Sequence, residues 1–177
     1  AYAYMCGHPG KKLLFMGQEF GQWNEWSEKR ALDWYLLEDD SHKELKDFTK
    51  ACLILNKKYR CLYETDYSPE GFRWINANDK DNSVFSFIRI SPDKKRHLLF
   101  VFNFTPVERP NHRIGVPVKG KYKLVLGDDM KNQKKTLTSV RGECDGYKES
   151  LLIDLHRYGI AVYEFNGDVN AHKPTNI

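Results

Sequence analysis

The sequence lacks several features that would assign a function directly. None of its four cysteines, Cys6, Cys52, Cys61 and Cys144, forms a CxxC pair, so their spacing gives no zinc signature. No two of the six histidines have the spacing of metal ligands, and no Ser-His-Asp arrangement can be argued from the residue order. The sequence therefore predicts no metal site.

Long apolar runs and a dominant charge are also missing. The longest apolar run is far too short to cross a bilayer, and no secretory signal is visible, so no membrane segment is predicted. The net charge is +4, but 28 Lys and Arg residues are scattered among 24 Asp and Glu residues. This mixture is typical of a solvated surface, and nucleic-acid binding is not predicted. The cysteine usage favours a reducing compartment.

Residues 1–62 have the rhythm of an α/β unit. Residues 1–7 resemble the end of a helix that the following “HPG” stops. The run 13–16, “LLFM”, is apolar throughout and bounded by turn residues, which predicts a strand buried on both faces, as in a parallel sheet. The chain does not begin with Met, and we expect it to be part of a longer protein.

A second helix is predicted from about 42 to 58. Ser41 is the expected N-cap residue, and Glu44, three residues later, would complete a capping box. Its apolar residues recur at helical spacing, which predicts that one face packs on a core. These residues are Leu45, Phe48, Cys52, Leu55 and Tyr59.

Residues 63–166 change to short strand-like runs separated by turns. The runs 83–90 and 97–104 flank a Ser-Pro-Asp turn and predict a hairpin. Further strands are expected at 122–127, 150–155 and 159–165. This half is predicted to be an all-β antiparallel sandwich, followed by a polar tail at 167–177. The fold class is therefore α+β, with a break near 62–68.

The long polar loop after the predicted first strand carries the candidate chemistry. Glu19 follows the carboxyl end of that strand, where barrel enzymes place catalytic groups. Retaining glycoside chemistry needs two carboxylates only about 5 Å apart. Glu25, Glu28 and Asp33 are near in sequence but share one loop, so they do not predict a rigid pair. A structural role for Glu19 is favoured, and the residues alone predict no complete active site.

Four tryptophans are candidates for binding sugar rings, because an indole offers a flat apolar face and one N–H donor. Trp23 and Trp26 stand among amides and carboxylates, and a sugar platform and a hydrophobic plug are equally favoured for them. Trp34 is flanked by leucines, which favours the plug. Trp74 follows the “SPEGF” turn and is either an exposed platform or, as we favour, a core anchor.

Particular segments of the sequence resemble a known family. “GHPGKKLLFMGQEFGQWNEW” (7–26), followed by “ALDWYLL” (31–37), closely resembles the end of the catalytic barrel in 1,4-α-glucan branching enzymes of the α-amylase superfamily. Four later segments resemble the family's C-terminal β-domain: “YSPEGFRWI”, “VFSFIRI”, “LLFVFNFTPVERPNHRIGVPVKGKYKLVL” and “GIAVYEF”. The resemblance covers almost the whole chain.

The resemblance implies a domain division and a reaction. Residues 1–62 would be the last strand, long loop and last helix of a TIM barrel, and 63–166 the β-sandwich. The longer enzyme would cleave an α-1,4 glucan and transfer the freed segment, through a covalent glycosyl-enzyme, to a 6-hydroxyl. The product is an α-1,6 branch in glycogen. The implied enzyme is cytoplasmic and needs no cofactor.

The resemblance also implies that the chemical centre lies elsewhere. The family uses an aspartate nucleophile, a glutamate acid/base and a second aspartate, and all three lie upstream of the match to Ala1. The chain alone is therefore expected to be inactive. Alternatives are a hydrolytic or debranching relative of the same superfamily, and a non-catalytic glucan-binding β-domain.

Site residues and partners follow from the same resemblance. The expected rim of the substrate groove consists of Gln18, Glu19, Trp23, Trp26 and Trp34, with Trp74 as a separate glucan-platform candidate. The expected partners are an α-glucan and the rest of the barrel. An unpaired parallel strand at 13–16 would expose its edge, so self-association of the isolated chain is also expected.

Overall fold

The computed structural model describes residues 1–170, so most of the predicted polar tail, 171–177, lies outside the described residues. The helices are α1 (Tyr2–Gly7) and α2 (Asp40–Lys58), and short 3₁₀ turns lie at Gln18–Phe20, Trp34–Glu38, Arg60–Leu62 and Pro69–Gly71. Within residues 1–170 the strands are β1 (Phe72–Asp79), β2 (Val84–Arg89), β3 (His97–Asn103), β4 (Arg109–Val116), β5 (Lys121–Gly127), β6 (Thr136–Thr138), β7 (Val140–Cys144), β8 (Tyr147–Leu155) and β9 (Ile160–Phe165).

The strands form two antiparallel sheets. One sheet has six strands in the order β1-β2-β3-β9-β5-β6, and the other has three in the order β4-β8-β7. The predicted hairpin is present as β2 and β3, with Phe87 opposite Phe100. The other predicted runs correspond to β5, β8 and β9. The prediction of an all-β antiparallel unit is therefore confirmed.

The six-stranded sheet is buried on both faces. All residues of β3 are buried, and they alternate between two cores. Leu99 and Val101 face the three-stranded sheet, whereas Leu98 and Phe100 face the helices. The molecule thus has three layers, with the helices on one side of the large sheet and the small sheet on the other.

Helix α2 begins slightly earlier than predicted and has a different cap. Asp39, not Ser41, is the N-cap residue, and its Oδ1 accepts a hydrogen bond from the Ser41 backbone N–H at 2.8 Å. Ser41 lies inside the first turn, so it cannot form the predicted capping box with Glu44. The predicted apolar face is present, since Cys52 and Leu55 are buried in the core between the helices and the large sheet.

The predicted strand at 13–16 is absent. These residues have no regular secondary structure, and Leu13, Phe15 and Met16 are 76%, 49% and 50% exposed. A strand needs a neighbour to pair its backbone groups, and residues 1–170 provide none for this segment. The structure therefore shows the all-β part of the predicted fold class but not the preceding barrel unit.

A buried arginine joins the helices to the large sheet. Arg89, at the end of β2, is fully buried, and its guanidinium donates to the carbonyl oxygens of Gly7 at 2.7 Å and Gly71 at 3.3 Å. It also lies 2.9 Å from Oδ1 of Asp66, whose other carboxylate oxygen accepts from the Gly10 N–H. One side chain thus connects α1, the segment after α2, and the sheet.

His97 in β3 makes two hydrogen bonds that define its protonation. Its Nδ1 accepts from the Ser91 backbone N–H at 3.1 Å, and its Nε2 donates to the Gly167 carbonyl oxygen at 3.0 Å. The neutral ring with a proton on Nε2 satisfies both partners. Burial lowers the pKa of His97, with the Gly167 hydrogen bond opposing it.

The four thiols are free in the structure. Burial raises the pKa of Cys6 and Cys144 to about 11 and that of Cys52 and Cys61 to about 12. Such thiols stay protonated at neutral pH and are poor nucleophiles. Among the helices described, none combines the length and the apolar character needed to span a membrane.

Replacing Arg89 by Met should destabilise the protein strongly, because it leaves the buried Asp66 carboxylate without its cation. Removing one partner of a buried pair costs about 3–5 kcal/mol. Urea denaturation of Arg89→Met would measure the loss. The matched control is Arg60→Met, which breaks an exposed pair with Glu64 and should leave the midpoint nearly unchanged. Equal losses in both variants would contradict the role given to Arg89.

His97 should make stability depend on pH. Its folded-state pKa lies below the unfolded value of about 6.5, so the unfolded chain takes up the proton first as the pH falls. The contribution of neutral His97 is complete above that value and is lost as the pH falls toward the folded pKa. Unfolding free energies at pH 7.5 and 5.5 should therefore differ more in the wild type than in His97→Gln, which keeps an acceptor and a donor. Parallel pH profiles would disprove this assignment.

Candidate functional site

A tight turn between two glycines begins the candidate site. Gly17 and Gly21 have φ angles of +86° and +68°, in the left-handed region that favours glycine. A Cβ atom on Gly17 would lie 2.8 Å from Cβ of Gln22, and one on Gly21 would lie 2.8 Å from Cδ2 of Leu45. Both positions therefore favour glycine, and the 3₁₀ turn between them buries Phe20 completely.

Helix α2 supports this turn. His42, buried in the first part of the helix, donates from Nδ1 to the Phe20 carbonyl oxygen at 2.6 Å. The Trp23 ring packs edge-on against the His42 ring at a centroid distance of 5.4 Å, yet Trp23 remains 75% exposed. The turn and the first indole are thus fixed to a regular element, although they lie in an irregular stretch.

An open cleft of about 420 Å³ lies beside the turn. The Trp26 ring packs edge-on against the Phe15 ring at 5.4 Å and forms part of its wall. The Gln18 side chain also lines the cleft and accepts from the Phe15 backbone N–H at 2.9 Å. The lining residues are Phe15, Met16, Gln18, Gln22, Trp23, Asn24, Glu25 and Trp26.

The structure brings some of the predicted rim residues together and separates others. Gln18, Trp23 and Trp26 share the cleft. Glu19 lies on the same turn, half-buried, outside the described cleft lining. Trp34 stacks at a tilt on Phe20, with ring centroids 5.1 Å apart, and belongs to the turn after the loop. Trp34 therefore packs on the turn that supports the site and does not line the cleft described.

Trp74 lies away from this cleft, on β1. Its ring packs edge-on against Phe72 at 5.3 Å and Phe87 at 5.5 Å, and it is half-buried against the core between the helices and the large sheet. This position fits the core-anchor alternative of the sequence analysis better than an exposed platform.

A polar network that the sequence analysis did not assign holds the loop. The Asp33 carboxylate accepts from Nδ2 of Asn24 at 2.8 Å and lies 3.4 Å from the Arg30 guanidinium. The Gln22 side chain accepts from the Asp33 backbone N–H and donates to the Asn24 carbonyl oxygen, both at 2.9 Å. Arg30 also donates to the Glu25 carbonyl oxygen at 2.7 Å.

A weak sequence signal for this network exists. Asp33 immediately precedes the 3₁₀ turn Trp34–Glu38, a position where short polar side chains commonly bond to nearby backbone groups. Here its carboxylate instead reaches back nine residues to Asn24. No helical or strand period predicts that pairing, because it depends on how the loop closes.

The chemistry of the site suits a neutral ligand rich in hydroxyl groups. Exposed indole faces lie beside amide and carboxylate side chains, which can stack on sugar rings and hydrogen-bond hydroxyls. Within residues 1–170 no three His, Cys, Asp or Glu side chains are grouped so as to hold a metal ion. The nearby Tyr2 hydroxyl donates to the Gln18 carbonyl oxygen at 2.5 Å, and burial, then the Glu19 carboxylate, raise the pKa of Tyr2.

Sequence comparison identifies similar proteins. Residues 74–166, slightly more than half of the chain, match the family described as the alpha amylase C-terminal all-beta domain. The 1,4-alpha-glucan branching enzyme GlgB of Butyrivibrio fibrisolvens is 46% identical over 171 residues, which cover 93% of this chain and 27% of that protein. GlgB of Aquifex aeolicus (strain VF5) is 45% identical over 130 residues, covering 73% and 21%.

A third relative extends over nearly the same part of the chain. GlgB of Bacillus cereus (strain AH187) is 37% identical over 168 residues, covering 91% of this chain and 26% of that protein. The chain therefore spans about a quarter of the length of these relatives.

Among solved structures the similarity is more distant. Isomaltulose synthase from Erwinia rhapontici NX5 gives a TM-score of 0.47 at 11% identity, covering 70% of this chain and 18% of that one. Trehalose-6-phosphate hydrolase TreA from Bacillus licheniformis gives 0.40 at 16% identity, covering 72% and 18%.

Proposed function

We propose, since this chain belongs to the family of alpha-amylase C-terminal all-beta domains, that it supplies the C-terminal part of a glucan branching enzyme. The observation that carries the proposal is the 46% identity to the Butyrivibrio GlgB across 93% of the chain. That match extends beyond the β-domain at 74–166 into the helices and the cleft loop. The relatives with this extended match are named as branching enzymes.

The proposed reaction belongs to the longer protein. It cleaves an α-1,4 glucan, holds the segment on an aspartate, and transfers it to a 6-hydroxyl to form an α-1,6 branch. The three carboxylates are proposed to lie in the part of the relatives that this chain does not span. The acids of the cleft loop support this. Glu25 is the single carboxylate in the cleft lining described, Glu19 lies outside that lining, and the Asp33 carboxylate is bonded to Asn24 and Arg30, so the cleft holds no carboxylate pair.

The proposed role of the cleft is to guide the glucan chain at the rim of that active site. Trp23 and Trp26 offer indole faces for stacking, and Gln18 offers an amide for hydrogen bonds to hydroxyls. Glu19 and Trp34 are proposed to support the turn from outside the cleft. The cleft would contribute by binding and orienting the glucan. Holding a substrate in a reactive pose lowers the activation barrier by several kcal/mol.

Two alternatives give different products or none. A hydrolytic or debranching relative would share the β-domain but release linear chains. A non-catalytic glucan-binding domain would retain polysaccharide without changing it. The names of the relatives favour branching over hydrolysis. That the longer protein acts in the cytoplasm stays a prediction.

An exposed apolar patch, defined by Leu13, Phe15 and Met16, is proposed to pack against the rest of the barrel in the longer protein. All three side chains are at least 49% exposed here. In the isolated chain, a second copy would cover part of the patch, because contiguous exposed apolar surface favours association.

A branching assay tests the proposed reaction. The 177-residue chain alone should leave amylose unbranched, judged by iodine staining and by chain lengths after debranching. The same chain fused behind the preceding part of the Butyrivibrio GlgB should produce α-1,6 branches. A fusion that fails to branch amylose, while intact Butyrivibrio GlgB branches it under the same conditions, would contradict the proposal. Branches made by the short chain alone would contradict the proposal and direct attention to Glu19.

Sedimentation of the isolated chain tests the apolar patch. The average mass should rise with protein concentration, and Leu13→Ser should shift the rise to higher concentration. Leu53→Ser is the matched control, since Leu53 is 47% exposed on α2 and does not belong to the patch, and its loss should change little. A strictly monomeric wild-type chain at high concentration would rule out self-association through this patch.

A further inference from the structure

The cleft loop contains a buried carboxylate with no place in the cleft wall. Asp33 is only 7% exposed, although most residues between Gln22 and Arg30 are exposed. Burying a carboxylate costs free energy unless hydrogen bonds replace its hydration. Here both oxygens have partners: Asn24 Nδ2 lies 2.8 Å from Oδ2, and Arg30 lies 3.4 Å from Oδ1.

These contacts close the loop into a ring. The Gln22 side chain accepts from the Asp33 backbone N–H, so the first residue of the loop is bonded to the last. Gln22 also donates to the Asn24 carbonyl oxygen, and Arg30 donates to the Glu25 carbonyl oxygen. The two bonded carbonyls are those of Asn24 and Glu25, so two of the three peptide groups between Trp23 and Trp26 are held.

We propose that Asp33 is a positioning residue that holds Trp23 and Trp26 in the orientation with which they contact an α-glucan chain in the cleft. The identity of the ligand rests on the proposed function, whereas the positioning rests on the hydrogen bonds alone. Asp33 does not touch the ligand. It acts on the segment between the two indoles in two ways, by accepting from the Asn24 side-chain amide and by pairing with Arg30, which donates to the Glu25 carbonyl oxygen.

Asparagine cannot replace this carboxylate. An aspartate accepts at both oxygens, whereas an asparagine accepts at one atom and presents an N–H₂ group at the other. In Asp33→Asn either Asn24 or Arg30 would face a donor in place of an acceptor. The substitution keeps the size of the side chain, so it removes one of the two contacts without leaving a cavity.

The four tryptophans report separately on the cleft loop and on the rest of the fold. Trp23 and Trp26 belong to the loop, while Trp34 packs on Phe20 and Trp74 packs on β1 and β2. In Asp33→Asn without sugar, the indole N–H resonances of Trp23 and Trp26 in ¹⁵N-labelled protein should shift or broaden. That of Trp74 should not move. Asp40→Asn, which removes an exposed partner of Lys43, is the matched control and should move none of the four.

Titration with maltoheptaose, a linear α-1,4 glucan, then tests the ligand. In the wild type the Trp23 and Trp26 indole resonances should shift on binding. In Asp33→Asn the dissociation constant should rise about tenfold, the size expected for losing one hydrogen bond to a charged group. Arg30→Met, which removes the other end of the ion pair, should reproduce the change in the two indoles.

The two parts of the proposal fail separately. If Asp33→Asn leaves the Trp23 and Trp26 resonances at their wild-type positions, the positioning role is overturned whatever the sugar does. If the variant moves them but the wild-type indoles ignore maltoheptaose, the positioning role stands and the glucan contact at this cleft is overturned. If Trp74 moves as much as Trp23, the variant acts on the whole fold and the positioning role is overturned.

Discussion

The buried guanidinium of Arg89 is the contact on which the relative placement of the layers depends. It joins the end of α1 at Gly7 and the segment after α2 at Asp66 to the large sheet. The sheet itself is built from apolar pairs, and the hydrophobic effect that drives such packing is not directional. A buried ion pair with directional hydrogen bonds has one satisfactory arrangement, and its desolvation cost penalises every other arrangement. In this protein the pair and its hydrogen bonds join the end of α1 and the segment after α2 to one point of the large sheet.

The candidate cleft inherits its position from that placement. The chain leaves α1 through Gly10, which is bonded to Asp66, and passes into the exposed segment that lines the cleft. On the other side, α2 holds the turn through the bond from His42 to the Phe20 carbonyl oxygen. The segment after Gly10 and the turn at Phe20 are therefore both attached to the helix layer. That layer packs on the aromatic face of the large sheet around Phe87 and Phe100. The cleft is irregular in backbone but anchored at both ends.

The sequence predicted what periodicity controls and missed what tertiary neighbours control. Helix α2 and strands β2, β3, β5, β8 and β9 follow from their apolar patterns. The cap was misplaced because Asp39 and Ser41 are both good capping residues, and the pattern does not choose between them. The strand at 13–16 was wrong because an apolar run forms a strand only if a partner strand is present. The pairing of Asn24 with Asp33 has no sequence period at all.

The polar network explains how the loop can expose two large indoles. A loop of this length commonly folds around its own apolar side chains, which serve as a small core. Trp23 and Trp26 cannot serve in that way while they face the cleft, 75% and 39% exposed. The loop instead closes on a buried carboxylate and the amides and guanidinium around it, whose hydrogen bonds are directional and need little volume. The loop backbone is thereby ordered without covering the indole faces of Trp23 and Trp26. The proposed stacking of the two indoles on sugar rings requires that combination of rigid backbone and uncovered rings.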